Sequence, residues 1–173
     1  MAKAKSVARK ITVVIADDQT LFREGIKDLL ENEKNIQVVG EAADGREALR
    51  LVKKLKPNVI LLDIKLPHMD GIEATRQIHK DCQTTNVLIL SGYEDEAHVM
   101  EAIQAGANGY LSKMLPASEL VNALKTFANQ GVMIPQPVMS KLIEGLRNMG
   151  TANSEASIVA LTKTEIKVLA LLG

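Results

Sequence analysis

Residues that could bind or transfer a charged group stand directly after short apolar stretches of this chain. Asp17 and Asp18 follow one such stretch and Asp63 a second, whereas Ser91 and Lys113 follow two later ones. If these stretches are neighbouring parallel strands, their carboxyl ends meet at one edge of a sheet, which is where open α/β sheets bind ligands. Three carboxylates, a hydroxyl and an ammonium group in one pocket suit a divalent cation together with a phosphoryl group.

The elements that would position these residues alternate in type along the chain. Five short apolar runs are separated by longer segments of helical period, which is typical of repeated βα units and a parallel sheet. The predicted strands are residues 11–16, 36–42, 59–62, 87–90 and 108–111. The first, third and fourth are apolar on both faces, which indicates interior strands covered by helices. The second is more mixed and indicates an edge strand.

The intervening segments carry signals for the start and end of five helices. The first helix has an apolar stripe, formed by Leu21, Phe22, Ile26, Leu29 and Leu30. The signals at the ends of the later helices are Asp44 with Glu47, Asp70, Glu94, Gly106, Pro116 and Gly131. The sequence therefore predicts five strands and five helices within its first 131 residues.

Composition limits the class of protein and its environment. The 173 residues suffice for one domain of about 100 to 150 residues and an appendage, and 46% apolar but 2% aromatic residues predict an aliphatic core. Acidic and basic residues balance at 21 each, so no overall charge points to nucleic acid or an anionic membrane. The single cysteine, Cys82, fits a reducing cytoplasm. No apolar run reaches the roughly 18 residues needed to span a bilayer, so we expect a cytoplasmic protein.

The two ends of the chain differ in pattern from the βα region. Residues 1–10 predict a disordered basic tail. Residues 132–160 predict a linker with a short amphipathic helix, and residues 161–173 a new helix that begins with a capping box of Thr162 and Glu165. An amphipathic dimerisation arm over residues 138–172 is the alternative interpretation.

Two parts of the sequence resemble known families. The acids and the residues Ser91 and Lys113, with the loop LPHMDG at 66–71, resemble the receiver domain of two-component response regulators. Residues 161–173 resemble the opening of the helix-turn-helix domain in the NarL/FixJ (LuxR-type) subfamily. The resemblance implies a doubly wound, flavodoxin-like (βα)5 fold with parallel strand order 2-1-3-4-5, a receiver over residues 11–131, and a C-terminal helical extension that is a truncated DNA-binding domain.

The resemblance also implies a role for each residue of the pocket. Asp63 would be the phosphoacceptor, and Mg²⁺ would be bound by four groups: the carboxylates of Asp17, Asp18 and Asp63 and the backbone carbonyl of Lys65. Lys113 and Ser91 would contact the phosphoryl oxygens. Ser91 and Tyr110 would form the switch that passes phosphorylation on to a distant surface.

The implied function is phosphoryl acceptance from a sensor histidine kinase or a phosphotransfer protein. Such a chain is an acceptor that loses its own phosphoryl group, not a turnover enzyme. It would control transcription through an output domain incomplete here, with homodimerisation on phosphorylation left open and DNA binding expected only of a longer parent. One alternative is a receiver-like interaction scaffold that works without phosphorylation. A phosphohydrolase with a nucleophilic Asp after the first strand is disfavoured, because such enzymes usually carry Asp-x-Asp where this chain has adjacent acids.

Overall fold

The computed structural model describes residues 10–92 and 96–131, which form five βα units. The strands are β1 (Ile11–Ala16), β2 (Ile36–Ala42), β3 (Val59–Leu62), β4 (Asn86–Ser91) and β5 (Gly109–Ser112). The helices are α1 (Thr20–Glu31), α2 (Gly45–Leu55), α3 (Gly71–Asp81), α4 (Glu96–Gln104) and α5 (Ala117–Gln130). The predicted alternation of strands and helices is therefore confirmed.

All five strands are parallel and lie in the order β2-β1-β3-β4-β5, as predicted. The register aligns the carboxyl ends of the strands: Ala16 pairs with Leu62 and Leu62 with Ile89, while Ser91 pairs with Ser112. The residues that follow β1 and β3 are consequently neighbours at one edge of the sheet. The edge strand β2 is irregular, because its register against β1 shifts by one residue between Val13 and Val14.

The last two strands differ from their predicted bounds by one residue at each end, and hydrogen bonding explains the new bounds of β4 and the later start of β5. β4 includes the polar residues Asn86 and Ser91, because the ladder hydrogen bonds continue past the apolar run. β5 begins at Gly109, because Asn108 binds Val87 of β4 through its side chain as well as its backbone. Its N–H donates to the carbonyl of Val87 at 2.9 Å, and its side-chain oxygen accepts from the Val87 N–H at 2.9 Å.

Apolar residues on both faces of the sheet form the core. On one face, alternate residues of the inner strands pack in one cluster with α1 and α5, which contributes the fully buried Phe127. The helices α2, α3 and α4 contact one another in sequence and supply buried residues such as Ala48, Val52 and Ile78. The core is aliphatic apart from a few rings, which agrees with the composition.

The predicted helix ends are largely confirmed. The Asp44 carboxylate accepts from the Glu47 N–H at 2.8 Å, but Glu47 reaches back to the Ala43 N–H instead of that of Asp44. The Asp70 carboxylate caps α3 by accepting from the Glu73 N–H at 2.8 Å. Gly106 follows α4 and Gly131 follows α5, both with positive φ angles of 104° and 77°. Glu94 lies outside the described residues.

Several predictions concern parts of the chain beyond the described residues. The basic tail apart from Lys10, the linker at 132–160 and the helix at 161–173 belong to this group and stay predictions. Within residues 10–92 and 96–131, no helix combines the length and the apolar character needed to cross a bilayer.

Candidate functional site

Three carboxylates from two adjacent strands meet at the carboxyl edge of the sheet. Asp17 and Asp18 come directly after β1, and Asp63 directly after β3. One oxygen of each lies within 4.8 Å of the others. Asp17 and Asp63 are only 2% and 5% exposed, whereas Asp18 is exposed to solvent. The sequence prediction that these acids share one pocket is confirmed in this geometry.

Lys113 completes the cluster from the far side of the sheet. Its Nζ lies 2.6 Å from Oδ2 of Asp17 and 2.8 Å from Oδ2 of Asp63, and its side chain is 10% exposed. β4 separates β5 from β3, so the lysine side chain reaches across the end of β4. Its backbone N–H donates to the Ser91 carbonyl at 2.8 Å, which fixes the point from which the side chain extends.

Charge and burial oppose each other in this pocket. Burial raises the pKa of the Asp63 carboxyl above its ordinary value; the hydrogen bond and charge of Lys113 oppose the rise, and the charge of Asp17 adds to it. For Lys113, burial is the largest influence and lowers the pKa. Hydrogen bonds to Asp17 and Asp63 together more than offset burial, so the pKa of the ammonium group is raised. Lys113 is therefore held in its charged form.

Backbone hydrogen bonds hold the two buried acids in place. The Asp63 N–H donates to the Ala16 carbonyl at 2.9 Å, which continues the β1–β3 ladder, and Oδ1 of Asp63 accepts from the Ile64 N–H at 2.7 Å. Oδ1 of Asp17 accepts from the Gln19 N–H at 2.8 Å. Both carboxylates thus have one oxygen bound to backbone and the other to Lys113.

The remaining predicted site residues lie around this cluster. Ser91 is the last residue of β4, the strand between β3 and β5, and it is fully buried. Tyr110, in β5 opposite Ile89, is 4% exposed, so its ring lies inside the protein. Lys65 is exposed in the loop after β3 and lines, with Asp18, an open cavity of about 550 Å³.

Two neighbours of the cluster were missed by the sequence analysis. The Phe22 ring centroid lies 4.6 Å from Lys113 Nζ, although the sequence placed Phe22 only in the apolar stripe of α1. Arg23 donates from Nη1 to the backbone carbonyl of Asp17 at 2.6 Å. Phe22 escaped notice because Lys113 is distant in sequence, and Arg23 because it binds a backbone carbonyl, a contact that no residue type signals.

The charges of the cluster define what it can bind. Three carboxylates and one ammonium group leave two negative charges uncompensated, which matches a divalent cation. Carboxylate oxygens are ligands that Mg²⁺ prefers. A phosphate dianion alone would be repelled by Asp17, Asp18 and Asp63. The arrangement therefore suits joint binding of a hard cation and a phosphoryl group.

The fold and this cluster define a receiver, and comparison with known proteins agrees. Residues 13–125 match the response regulator receiver domain family, and the chain belongs to that family. Among solved structures, the signal receiver domain of the putative response regulator NarL from Mycobacterium tuberculosis is 40% identical with a TM-score of 0.68, covering 70% of this chain and 98% of that one. A LuxR-family two-component response regulator from Aurantimonas sp. SI85-9A1 is 32% identical with a TM-score of 0.70, covering 79% of this chain and 97% of that one.

Curated relatives include transcriptional regulatory proteins. DegU of Brevibacillus brevis is 40% identical over 148 residues, which are 86% of this chain and 63% of that protein. LiaR of Bacillus subtilis (strain 168) is 35% identical over 163 residues, 94% of this chain and 76% of that protein. The match thus covers less than two thirds of the length of DegU. The predicted membership of the response regulators, in their NarL/FixJ (LuxR-type) branch, is confirmed by these relatives and structures.

Proposed function

We propose that the chain is a phosphorylation-controlled receiver in which Asp63 accepts a phosphoryl group from a sensor histidine kinase or a phosphotransfer protein, in a reaction that depends on Mg²⁺. The observation that carries this proposal is the convergence of Asp17, Asp18 and Asp63 within 4.8 Å, with Lys113 bridging the two buried acids. Membership of the receiver family supports the choice of donor.

The donor set fits a magnesium ion. Asp17, Asp18 and Asp63 would hold it through carboxylate oxygens, and the Lys65 backbone carbonyl is the further ligand that the family resemblance implies. When bound, Mg²⁺ supplies positive charge that offsets the repulsion between the carboxylates and the incoming phosphoryl oxygens. The exposed position of Asp18, beside the open cavity, leaves a path from solvent to this set.

Asp63 is the nucleophile in this proposal. A carboxylate oxygen attacks phosphorus as the bond between the donor nitrogen and phosphorus breaks, so an acyl phosphate forms on Asp63. The Ile64 N–H, at 2.7 Å from Oδ1, holds the carboxylate plane during the attack. The burial that raises the pKa of Asp63 also limits its hydration, which leaves the ionised carboxylate more reactive toward phosphorus.

Lys113 and Ser91 would stabilise the transferred group. Lys113 already carries a charge held by two carboxylates, and once Asp63 is phosphorylated the ammonium group can pair with a phosphoryl oxygen. Ser91 lies at the same edge and its hydroxyl would donate a hydrogen bond to another phosphoryl oxygen. Movement of Ser91 together with the buried ring of Tyr110 would then alter the surface formed around α4, β5 and α5.

The chain in this proposal is an acceptor that loses its phosphoryl group by hydrolysis, not a turnover enzyme. The transcriptional regulators among its relatives make control of transcription the proposed output. A homodimer formed on phosphorylation belongs to the same proposal. A cytoplasmic location is supported by the single cysteine, which is typical of a reducing compartment.

The test is phosphorylation by a small donor. The protein is incubated with phosphoramidate with and without Mg²⁺, and its intact mass is measured. We expect one phosphoryl group per chain with Mg²⁺, none with a chelator and none in Asp63→Asn, whereas the exposed control Asp28→Asn behaves as wild type. A gain that persists in Asp63→Asn would overturn the assignment of the acceptor. No gain in wild type under any condition would favour the scaffold that works without phosphorylation.

A further inference from the structure

Arg23 in α1 connects the acidic cluster to the edge strand β2. Its Nη1 donates to the backbone carbonyl oxygen of Asp17 at 2.6 Å, and its Nε lies 3.6 Å from Oε2 of Glu41. Lys27, one turn further along α1, binds the other carboxylate oxygen of Glu41 at 2.6 Å. The Arg23 side chain is only 14% exposed, whereas those of Glu41 and Lys27 are 29% and 37% exposed, so the contact at Asp17 is the part shielded from solvent.

Asp17 is held at four of its polar atoms. Its N–H donates to the Ala42 carbonyl at 3.1 Å, Oδ1 accepts from the Gln19 N–H, and Oδ2 pairs with Lys113. Arg23 supplies the fourth bond, at the carbonyl oxygen, from a side chain outside the acidic cluster. Because Asp17 is almost fully buried, little water can replace that donor if the guanidinium is removed.

We propose that Arg23 is a positioning residue for the metal and phosphoacceptor site, and that Glu41 anchors it. By fixing the Asp17 peptide, Arg23 would keep the Asp17 carboxylate turned toward Asp18 and Asp63, so that the three oxygens stay close enough to share one cation. This inference rests on the proposed function. Groups that orient metal ligands typically change affinity or activity by about 10- to 100-fold when they are altered.

If Arg23 is removed, loss of positioning and loss of its charge are expected to change the affinity for a divalent cation in opposite directions. Removing a positive charge near a site for a divalent cation strengthens cation binding if charge alone matters. Loss of positioning weakens it. Lys27 provides the matched control, because its ammonium group pairs with the same Glu41 and not with Asp17.

The experiment compares Arg23→Met, Arg23→Lys and Lys27→Met with wild type in the full chain. Two quantities are measured: the Mg²⁺ concentration that gives half of the maximal thermal stabilisation, and the concentration that gives half of the maximal phosphorylation rate with phosphoramidate. We expect Arg23→Met to need on the order of 10-fold more Mg²⁺ in both assays, with full phosphorylation restored at saturating Mg²⁺. Lys27→Met is expected to stay within about twofold of wild type or to bind Mg²⁺ slightly more tightly.

Arg23→Lys isolates geometry, because the charge is kept while the fork that reaches both Asp17 and Glu41 is lost. It is expected to lie between wild type and Arg23→Met, and it decides the question if Arg23→Met does not fold. Equal Mg²⁺ requirements in wild type and both Arg23 variants would overturn the inference while leaving the proposed function intact. Equal weakening in Lys27→Met would overturn it as well. A wild-type protein without any Mg²⁺ response would overturn the proposed function itself, and this inference with it.

Discussion

Replacing Gly71 with alanine should damage the site through sterics alone. Gly71 is the first residue of α3, and its N–H donates to the Ile64 carbonyl at 2.8 Å. A Cβ atom built on Gly71 would lie 2.0 Å from the Asp63 carbonyl oxygen and 2.9 Å from both the Asp63 carbonyl carbon and Ile64 Cα. All three obstacles are backbone atoms, so no side chain can rotate away and the start of α3 must separate from the residue after β3.

The expected cost follows from two contributions. Overpacking of a dense interior costs about 1 to 3 kcal/mol, and weakening the hydrogen bond from Gly71 to Ile64 adds about 1 kcal/mol. We therefore expect Gly71→Ala to lower the free energy of unfolding by about 2 to 4 kcal/mol, a large part of the roughly 5 to 15 kcal/mol available to a domain. The displacement also moves Asp63, so Mg²⁺ binding should weaken in the same variant.

Gly25→Ala is the matched control, since Gly25 lies within α1 and a Cβ there meets no atom within 4 Å. It should stabilise the protein by about 0.5 to 1 kcal/mol, because alanine favours a helix interior. Urea denaturation of both variants, with equal slopes against denaturant, measures the two effects. If the free energy of unfolding of Gly71→Ala lies within about 0.5 kcal/mol of the wild-type value, the clash is relieved at no cost and the steric reasoning fails.

Three further predictions concern the charged cluster. Without divalent cations, Asp63→Asn should be more stable than wild type at neutral pH. Burial raises the pKa of Asp63 in the folded state, so the folded protein binds this proton more tightly and wild-type stability falls as pH rises through that titration. Mg²⁺ at a hundred times its Kd should stabilise wild type by about 2.7 kcal/mol, with a smaller response in Asp17→Asn and an unchanged one in Asp28→Asn. Phe22→Leu should lose a cation–π contact worth about 0.5 to 1 kcal/mol, seen as a coupling energy in a double-mutant cycle with Lys113→Met.

Each of these predictions has an outcome that contradicts it. For Asp63→Asn, urea denaturation is measured at several pH values with a chelator present. The prediction fails if the free energy of unfolding of the variant, relative to wild type, is no higher at pH 7 than at pH 3. Equal Mg²⁺ stabilisation of Asp17→Asn and wild type would remove Asp17 from the cation site. A coupling energy of zero between Phe22 and Lys113 would mean that the ring packs without attracting the ammonium group.

The alternating pattern made most of the fold predictable, since hydrophobic periodicity depends only on which face of an element is buried. The strand bounds failed at Asn86 and Asn108, where polar residues continue or close the ladder by backbone hydrogen bonds that composition does not reveal. The shift in register between Val13 and Val14 left no sequence signal either. The interior strands could be recognised in the sequence because both of their faces are covered by helices and are therefore apolar.

The candidate site was predictable to the extent that its residues end strands. Asp17, Asp63 and Lys113 could be placed together because parallel strands bring their carboxyl ends to one edge. Phe22 and Arg23 could not, since both sit on a helix whose rotation and distance from the sheet are set by packing. Tyr110 was placed in a strand, but its burial depends on the helices that cover β5.

The reach of Lys113 across β4 has a consequence for the order in which the chain becomes stable during synthesis. The acidic pair after β1 emerges first and Asp63 next, so the first three strands can bring the acids together before their basic partner exists. Until β5 pairs with β4, mutual repulsion among the acids opposes closure of the nascent domain. The last strand therefore completes the edge of the sheet and also brings Lys113, whose positive charge offsets the repulsion among the acids. Before Lys113 is synthesised, Mg²⁺ held by the acids as proposed would supply the same offset and favour the unfinished sheet.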